Sequence, residues 1–185
     1  MKKSFDYFKT LKKLAVCCED TFNEVINGNK SGNQSVVFMG MKNELTDNLR
    51  KDFITPFDRG DIFVLSDCLF NQFLLLSELS GFVSVNGDDC SYICKLLSEA
   101  YNKQSIVFSL INESKDNTNA FSLCKEGYAS VINTSVAITK KIKKCVFGCE
   151  SQPLYKYSVY SALLEISRSV QYTFSQTERI LINNS

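Results

Sequence analysis

Thr55-Pro56-Phe57-Asp58, preceded by Phe53-Ile54 and followed by Arg59-Gly60-Asp61-Ile62, is the stretch from which the fold is read. A proline pushes the residue before it out of helical geometry, so a helix arriving from upstream must end here. Threonine as N-cap, proline at the first helical position and an acid at the third, as in a capping box, then open a new helix. Such a cap is worth about 1 kcal/mol to the first turn. Behind it, Ile62, Leu65, Leu69, Leu76 and Leu79 recur at helical spacing up to Gly81, the stripe of a helix with one face in a core.

Upstream, Phe38, Leu45, Leu49 and Phe53 predict a helix that runs towards the proline, and Phe8, Leu11, Ala15, Cys18, Phe22 and Val25 predict an earlier one. Between these two lies a loop from Asn27 to Asn33, whose glycines and turn formers a helix does not tolerate cheaply. Downstream, Val85-Asn86-Gly87-Asp88-Asp89 turns the chain, and Ile93, Leu97, Ala100, Val107 and Leu110 predict a fourth helix. The polar stretch from Asn112 to Asn119 reads as an exposed loop. A fifth helix carries Phe121, Cys124, Tyr128, Val131, Ile138 and Ile142 and closes with Gly148 past its end and Pro153 beyond. Leu163, Ile166, Val170, Phe174 and Leu181 make the sixth. Helix-length segments joined by short polar loops predict an all-α, antiparallel six-helix bundle forming one domain over residues 1–185. A mixed α/β domain would need strands at 36–39 or 105–108, and strand-like alternation is hard to find there.

A chain of 185 residues buries a continuous core without disulfides. With 21 basic and 20 acidic residues, no global field draws in nucleic acid, and any charged partner is met locally. The opening Met1-Lys2-Lys3-Ser4-Phe5-Asp6 runs into a charged amphipathic segment, which is unlike a signal peptide. The most apolar stretch, Leu69 to Leu79, is interrupted by Asn71, Gln72, Ser77 and Glu78, so a soluble, cytoplasmic chain is expected. Its eight cysteines are then reduced. Cys90 with Cys94, and Cys145 with Cys149, share a helix face at four-residue spacing. Without histidine or a Cys-x-x-Cys pair they read as small core residues rather than zinc ligands.

The absence of histidine also removes the Ser-His-Asp and Cys-His catalytic arrangements, and no glycine-rich phosphate loop is present. Carboxylates remain: Glu44 with Asp47, then Asp58, Asp61 and Asp67, and later Glu165. Convergent oxygens would suit Mg²⁺, Mn²⁺ or Ca²⁺, although a solvated helix face has the same pattern. Two basic runs stand out, Lys2, Lys3, Lys9, Lys12 and Lys13, and Lys140, Lys141, Lys143 and Lys144. Either suits an acidic partner or an anionic membrane leaflet, at about 1 kcal/mol per charge near the surface. Neither is interleaved with exposed-looking aromatics, which argues against nucleic acid.

The stretch from Phe53 to Ile62, leading into Leu65, resembles the fingerprint of the PhoU-like phosphate transport regulator family, whose members often accompany Pit-type phosphate transporters. The matching positions are Phe53, Thr55, Pro56, Asp58, Arg59 and Asp61. Asp47 falls where the family has an acid, and Glu165 looks like the acid of the last helix's motif. The resemblance implies two three-helix repeats, about 1–84 and 88–185, with the fingerprint joining helices two and three. Relatives that bind metal clusters carry acids where this chain looks to have Phe70, Asn71, Leu74, Ala137 and Ser169. Gly60 replaces the usual glutamate after the motif arginine, and Glu44 replaces a histidine. These departures from the family pattern remove most of the oxygen ligands, so the expectation is no resident cofactor, or weak divalent metal binding at a remnant of Glu44, Asp47 and Glu165. No catalytic residues are expected, and helix capping alone explains Thr55, Pro56 and Asp58. The expected function is non-enzymatic regulation of inorganic phosphate transport, by contact with a transporter or signalling protein and with the inner membrane face. Two rivals are a carboxylate-bound metal protein with phosphatase-like activity and a self-associating bundle, with Tyr155, Tyr157 and Tyr160 as interface aromatics.

Overall fold

The computed structural model describes residues 5–28, 33–52, 55, 57–81, 88–113, 117–148 and 152–184, and these form six helices and no strand. In chain order they are α1 (Tyr7–Ile26), α2 (Gln34–Lys51), α3 (Arg59–Leu79), α4 (Asp88–Glu113), α5 (Thr118–Phe147) and α6 (Pro153–Asn183). The all-α bundle expected from the apolar stripes is what the chain forms. Residues 36–39 and 105–108 lie inside α2 and α4.

The start of α3 differs from its sequence signal. Asp58, not Thr55, is the N-cap, and its carboxylate accepts from the Gly60 N–H at 2.7 Å. The Thr55 hydroxyl instead donates to the Phe57 carbonyl at 2.6 Å, within the turn before the helix, and the helix opens at Arg59. A carboxylate also meets the positive end of the helix dipole more favourably than a hydroxyl. Phe53, Ile54 and Pro56 lie outside the described residues. Asp58→Ala should lower stability by about 1 kcal/mol in urea unfolding; an unchanged midpoint would show that the cap contributes nothing.

Two expected loops are shorter than their polar sequences suggested. α4 takes in Asp88 and Asp89 at its start and runs through Asn112 and Glu113, and α5 already begins at Thr118 with Asn117 as N-cap. The remaining turn residues at 29–32, 85–87 and 114–116, with Lys2, Lys3 and Cys149, lie outside the described residues.

Helices α1, α3, α4 and α6 form the centre, while α2 lies on α1 and α3, and α5 on α4 and α6. Side-chain pairs fix the directions. Tyr7 with Asp52 and Cys17 with Gln34 make α1 and α2 antiparallel. Phe8 with Phe57 and Cys18 with the Leu69 carbonyl make α1 and α3 parallel. Asn23 with Ser98 and Glu19 with Asn102 make α1 and α4 antiparallel. Gln72 with Thr173 and Asp61 with Asn184 do the same for α3 and α6. The buried stripe residues include Leu11, Phe22, Ile62, Leu69, Leu163 and Phe174, each contributing about 1.5–3 kcal/mol. α2 is the least embedded helix. It buries only Phe38, Leu45 and Leu49, and Phe38 stacks on Phe73 with ring centroids 4.4 Å apart.

By length and composition α3 could cross a membrane, and half of that apolar window is buried within the bundle. At mid-height the centre is polar. Gln72 and Gln104 exchange two amide hydrogen bonds, at 2.9 and 3.1 Å, and Gln72 donates a third to the Thr173 hydroxyl at 2.6 Å. All three side chains are fully buried, so this layer ties α3, α4 and α6 in one register and leaves no polar atom of the glutamine pair facing hydrocarbon unpaired.

Candidate functional site

The fingerprint residues within the described chain close one end of the bundle. The Arg59 guanidinium donates to the Asp52 carbonyl, linking the end of α2 to the start of α3. The Asp52 carboxylate accepts from the Tyr7 hydroxyl at 2.5 Å, and burial together with that carboxylate pushes the tyrosine's pKa well above its usual range. Asp61 accepts from the Asn184 side-chain amide at 3.3 Å, which fastens the end of α6. Phe57 packs edge-on against Phe8 at 4.7 Å. Each of these contacts joins helices, and together they hold the α2–α3 turn against the ends of α1 and α6.

The candidate metal remnant is not brought together. Glu44 and Asp47 are exposed on α2, and Glu165 is exposed on α6, where it pairs with Arg168 at 3.8 Å. α2 and α6 do not touch. Asp67 pairs with Lys42 at 3.1 Å. Among the positions where cluster-binding relatives carry acids, Phe70 lies under the Lys42 ammonium, 4.5 Å from the ring centroid, while Asn71 and Leu74 are exposed and Ala137 and Ser169 half-buried. Among the described residues no three Cys, Asp or Glu side chains converge where a cation would be held.

None of the described cysteines is in a disulfide, and all are buried. Desolvation pushes the Cys17 and Cys68 thiols up to about 11 and those of Cys94 and Cys124 to about 12, from an ordinary value of 9.0. Such thiols are poor nucleophiles at neutral pH. The shifts carry a pH dependence: native thiols stay protonated where unfolded ones ionise, so their contribution is intact below pH 9 and is lost between about 9 and 12. The thermal midpoint should therefore hold from pH 7 to 9 and fall above it; a midpoint still rising at pH 11 would contradict the burial of these thiols.

What the surface offers is grooves lined by both cationic and apolar side chains. One of about 590 Å³ runs between α1 and α2, lined by Lys9, Lys12 and Lys13 with Val16, Val37 and Met41, and with Asp6 and Asp20 also in its lining. A second, about 490 Å³, lies between α5 and α6, where Ile132 and Val136 lie beside Lys140, Lys143 and Arg168. A third, also about 490 Å³, sits between α2 and α3 with Arg50, Arg59 and Phe63. All are open to solvent and suit an acidic, partly apolar segment better than a small substrate.

Sequence reasoning had the lysines but not their setting. Ile132, Val136 and Lys140 follow one another at four-residue steps along α5, and that spacing was readable; Arg168 and Arg50 required knowing which helices are neighbours. Of the three tyrosines considered for self-association, Tyr155 and Tyr157 are exposed, whereas Tyr160 is 1% exposed and belongs to the core, because it lies one turn before Leu163 on the buried stripe. The chain matches no family model and no curated protein.

Proposed function

We propose that the chain is a non-enzymatic accessory or regulatory protein of inorganic phosphate transport, working in the cytoplasm by contact with a transporter or signalling protein. The observation that carries this reading is the packing pattern. Exchanging α1, α2 and α3 for α4, α5 and α6 carries the α1–α2 packing onto α4–α5, α2–α3 onto α5–α6 and α1–α3 onto α4–α6, and leaves α1–α4 and α3–α6 unchanged. Two three-helix repeats, about 1–84 and 88–185, would produce that order of neighbours, with α2 packed far more loosely on α3 than α5 is on α6. It joins the PhoU-like fingerprint around Asp58, Arg59 and Asp61, whose side chains serve the α2–α3 end of the bundle. Dispersal of Glu44, Asp47 and Glu165 favours contact over metal-assisted hydrolysis.

The reading is tested by titrating the purified chain against a Pit-type phosphate transporter from the same genome, held in nanodiscs. Saturable binding that weakens with salt is expected, because the grooves are cationic. Absence of binding, together with Mn²⁺- or Mg²⁺-dependent hydrolysis of a phosphate ester, would overturn it in favour of an enzyme.

A further inference from the structure

Two exposed stripes of the chain match each other position for position. On α2, Val36, Gly40, Glu44 and Asp47 follow one another at steps of four, four and three residues and share one solvent-facing side. On α5, Ile132, Val136, Lys140 and Lys143 follow the same steps and are likewise exposed. Each stripe covers about 17 Å of helix, or three turns. The first passes from apolar to acidic and the second from apolar to basic, in the same chain direction.

Neither stripe is covered within its own chain. Val36 is 76% exposed, Met39 beside it 40%, and Val136 49%. Glu44, Asp47, Lys140 and Lys143 are exposed, and among the described residues none of the four is ion-paired. α2 packs on α1 and α3 and has no contact with α5 or α6, so it does not reach the α5 stripe of the same chain. That stripe forms one wall of the groove of about 490 Å³ whose other wall carries Leu164, Arg168 and Gln171 of α6, and no acid lines it.

We infer that α2 of one copy of this chain lies along the α5–α6 groove of a second copy, parallel to α5, with Val36 and Met39 against Ile132 and Val136 and with Glu44 and Asp47 facing Lys140 and Lys143. In this orientation the apolar ends meet and opposite charges pair. Antiparallel, the two carboxylates would lie on Ile132 and Val136 and the two ammonium groups on Val36 and Gly40, leaving every charge without a partner. The agreement in both spacing and order is what favours a second copy over an unrelated acidic segment. The other two grooves fit this occupant poorly, because α2 itself forms a wall of each and Asp6 and Asp20 line the larger. The contact also gives a use to Glu44 and Asp47, which are not gathered into any cation site among the described residues. One helix face in one groove is smaller than a standard interface, so the association is weak and sensitive to salt. The two surfaces differ and each chain carries both, so association either closes a ring or continues. It involves neither Tyr155 nor Tyr157, goes beyond phosphate transport and does not depend on it.

The test is sedimentation equilibrium of the full chain from about 10 μM to 1 mM in low salt, the range of a weak interface. The average mass should rise above that of one chain with concentration, and the rise should shrink as salt is added. Glu44→Lys/Asp47→Lys and Lys140→Glu/Lys143→Glu should each weaken self-association at least about tenfold. Mixed in equal amounts, the two variants should associate again, because every α2–groove contact between them joins opposite charges, with the native signs in one direction and reversed signs in the other. All four positions are exposed, so both variants should keep the wild-type thermal midpoint, and a loss of association is not a loss of fold. A single-chain mass throughout the range, variants that associate like the wild type, or no recovery on mixing overturns the inference. So does a chain that stays single while Lys140→Glu/Lys143→Glu abolishes its binding to the transporter, which would make the groove a transporter site. No transporter is present in the sedimentation experiment, so its failure leaves the phosphate-transport reading standing.

Discussion

Gln72→Leu destabilises the bundle by about 2–5 kcal/mol in urea unfolding, more than its small change in volume would suggest. Leucine fills nearly the same space but strands both ends of the fully buried Gln104 amide and removes the donor to Thr173. Each buried polar group left without a partner costs about 1–3 kcal/mol. Gln72→Leu/Gln104→Leu should recover most of the loss, because both halves of the amide pair then disappear together. The resulting coupling, about 2 kcal/mol or more, is the measure of the pair. Additive effects of the two single substitutions would mean that the amides do not meet.

Gly127→Ala should also destabilise, by about 1–3 kcal/mol, although alanine favours an isolated helix over glycine by about 1 kcal/mol. A Cβ built at Gly127 on α5 falls within 3.0 Å of three atoms of the Phe174 ring on α6. That ring is 1% exposed and has nowhere to retreat. In a Phe174→Leu background the clash is relieved and the sign should reverse, with Gly127→Ala stabilising by up to about 1 kcal/mol. A stabilising Gly127→Ala in the wild-type chain would mean that α5 and α6 do not approach each other this closely.

The apolar stripes were legible because burial repeats with the helix period, and positions such as Leu11, Ile62, Leu97, Val131 and Val170 are buried as their spacing required. The boundary at α3 was not, for a reason visible in the sequence. Thr55 with Asp58 and Asp58 with Asp61 have the same three-residue offset, so two overlapping capping patterns fit, and what separates them is which side chain accepts a first-turn N–H, here the Asp58 carboxylate from Gly60. Asn112, Glu113, Thr118 and Asn119 looked like loop because they are polar, yet polar residues occupy helix ends equally well. Gln72 registered only as an interruption of an apolar run. Its partner lies 32 residues away on another helix, and periodicity does not name a helix's neighbours.

The same limit governs the candidate site. Spacing places Glu44 with Asp47 on one helix and Glu165 on another, but whether they converge depends on whether α2 meets α6, which it does not. The grooves likewise need two helices each. Lys140 was visible in the sequence, whereas its position opposite Arg168, beside Ile132 and Val136, emerges only from the α5–α6 packing.

The proposed role is tested most directly by phosphate transport through a purified Pit-type transporter from the same genome, reconstituted in proteoliposomes, with increasing amounts of this chain on the cytoplasmic side. A regulator acting by contact changes the initial rate of phosphate uptake saturably, and the change weakens as salt screens its cationic grooves. An uptake rate that stays constant up to a large molar excess of the chain, with the transporter active and the chain folded, contradicts it.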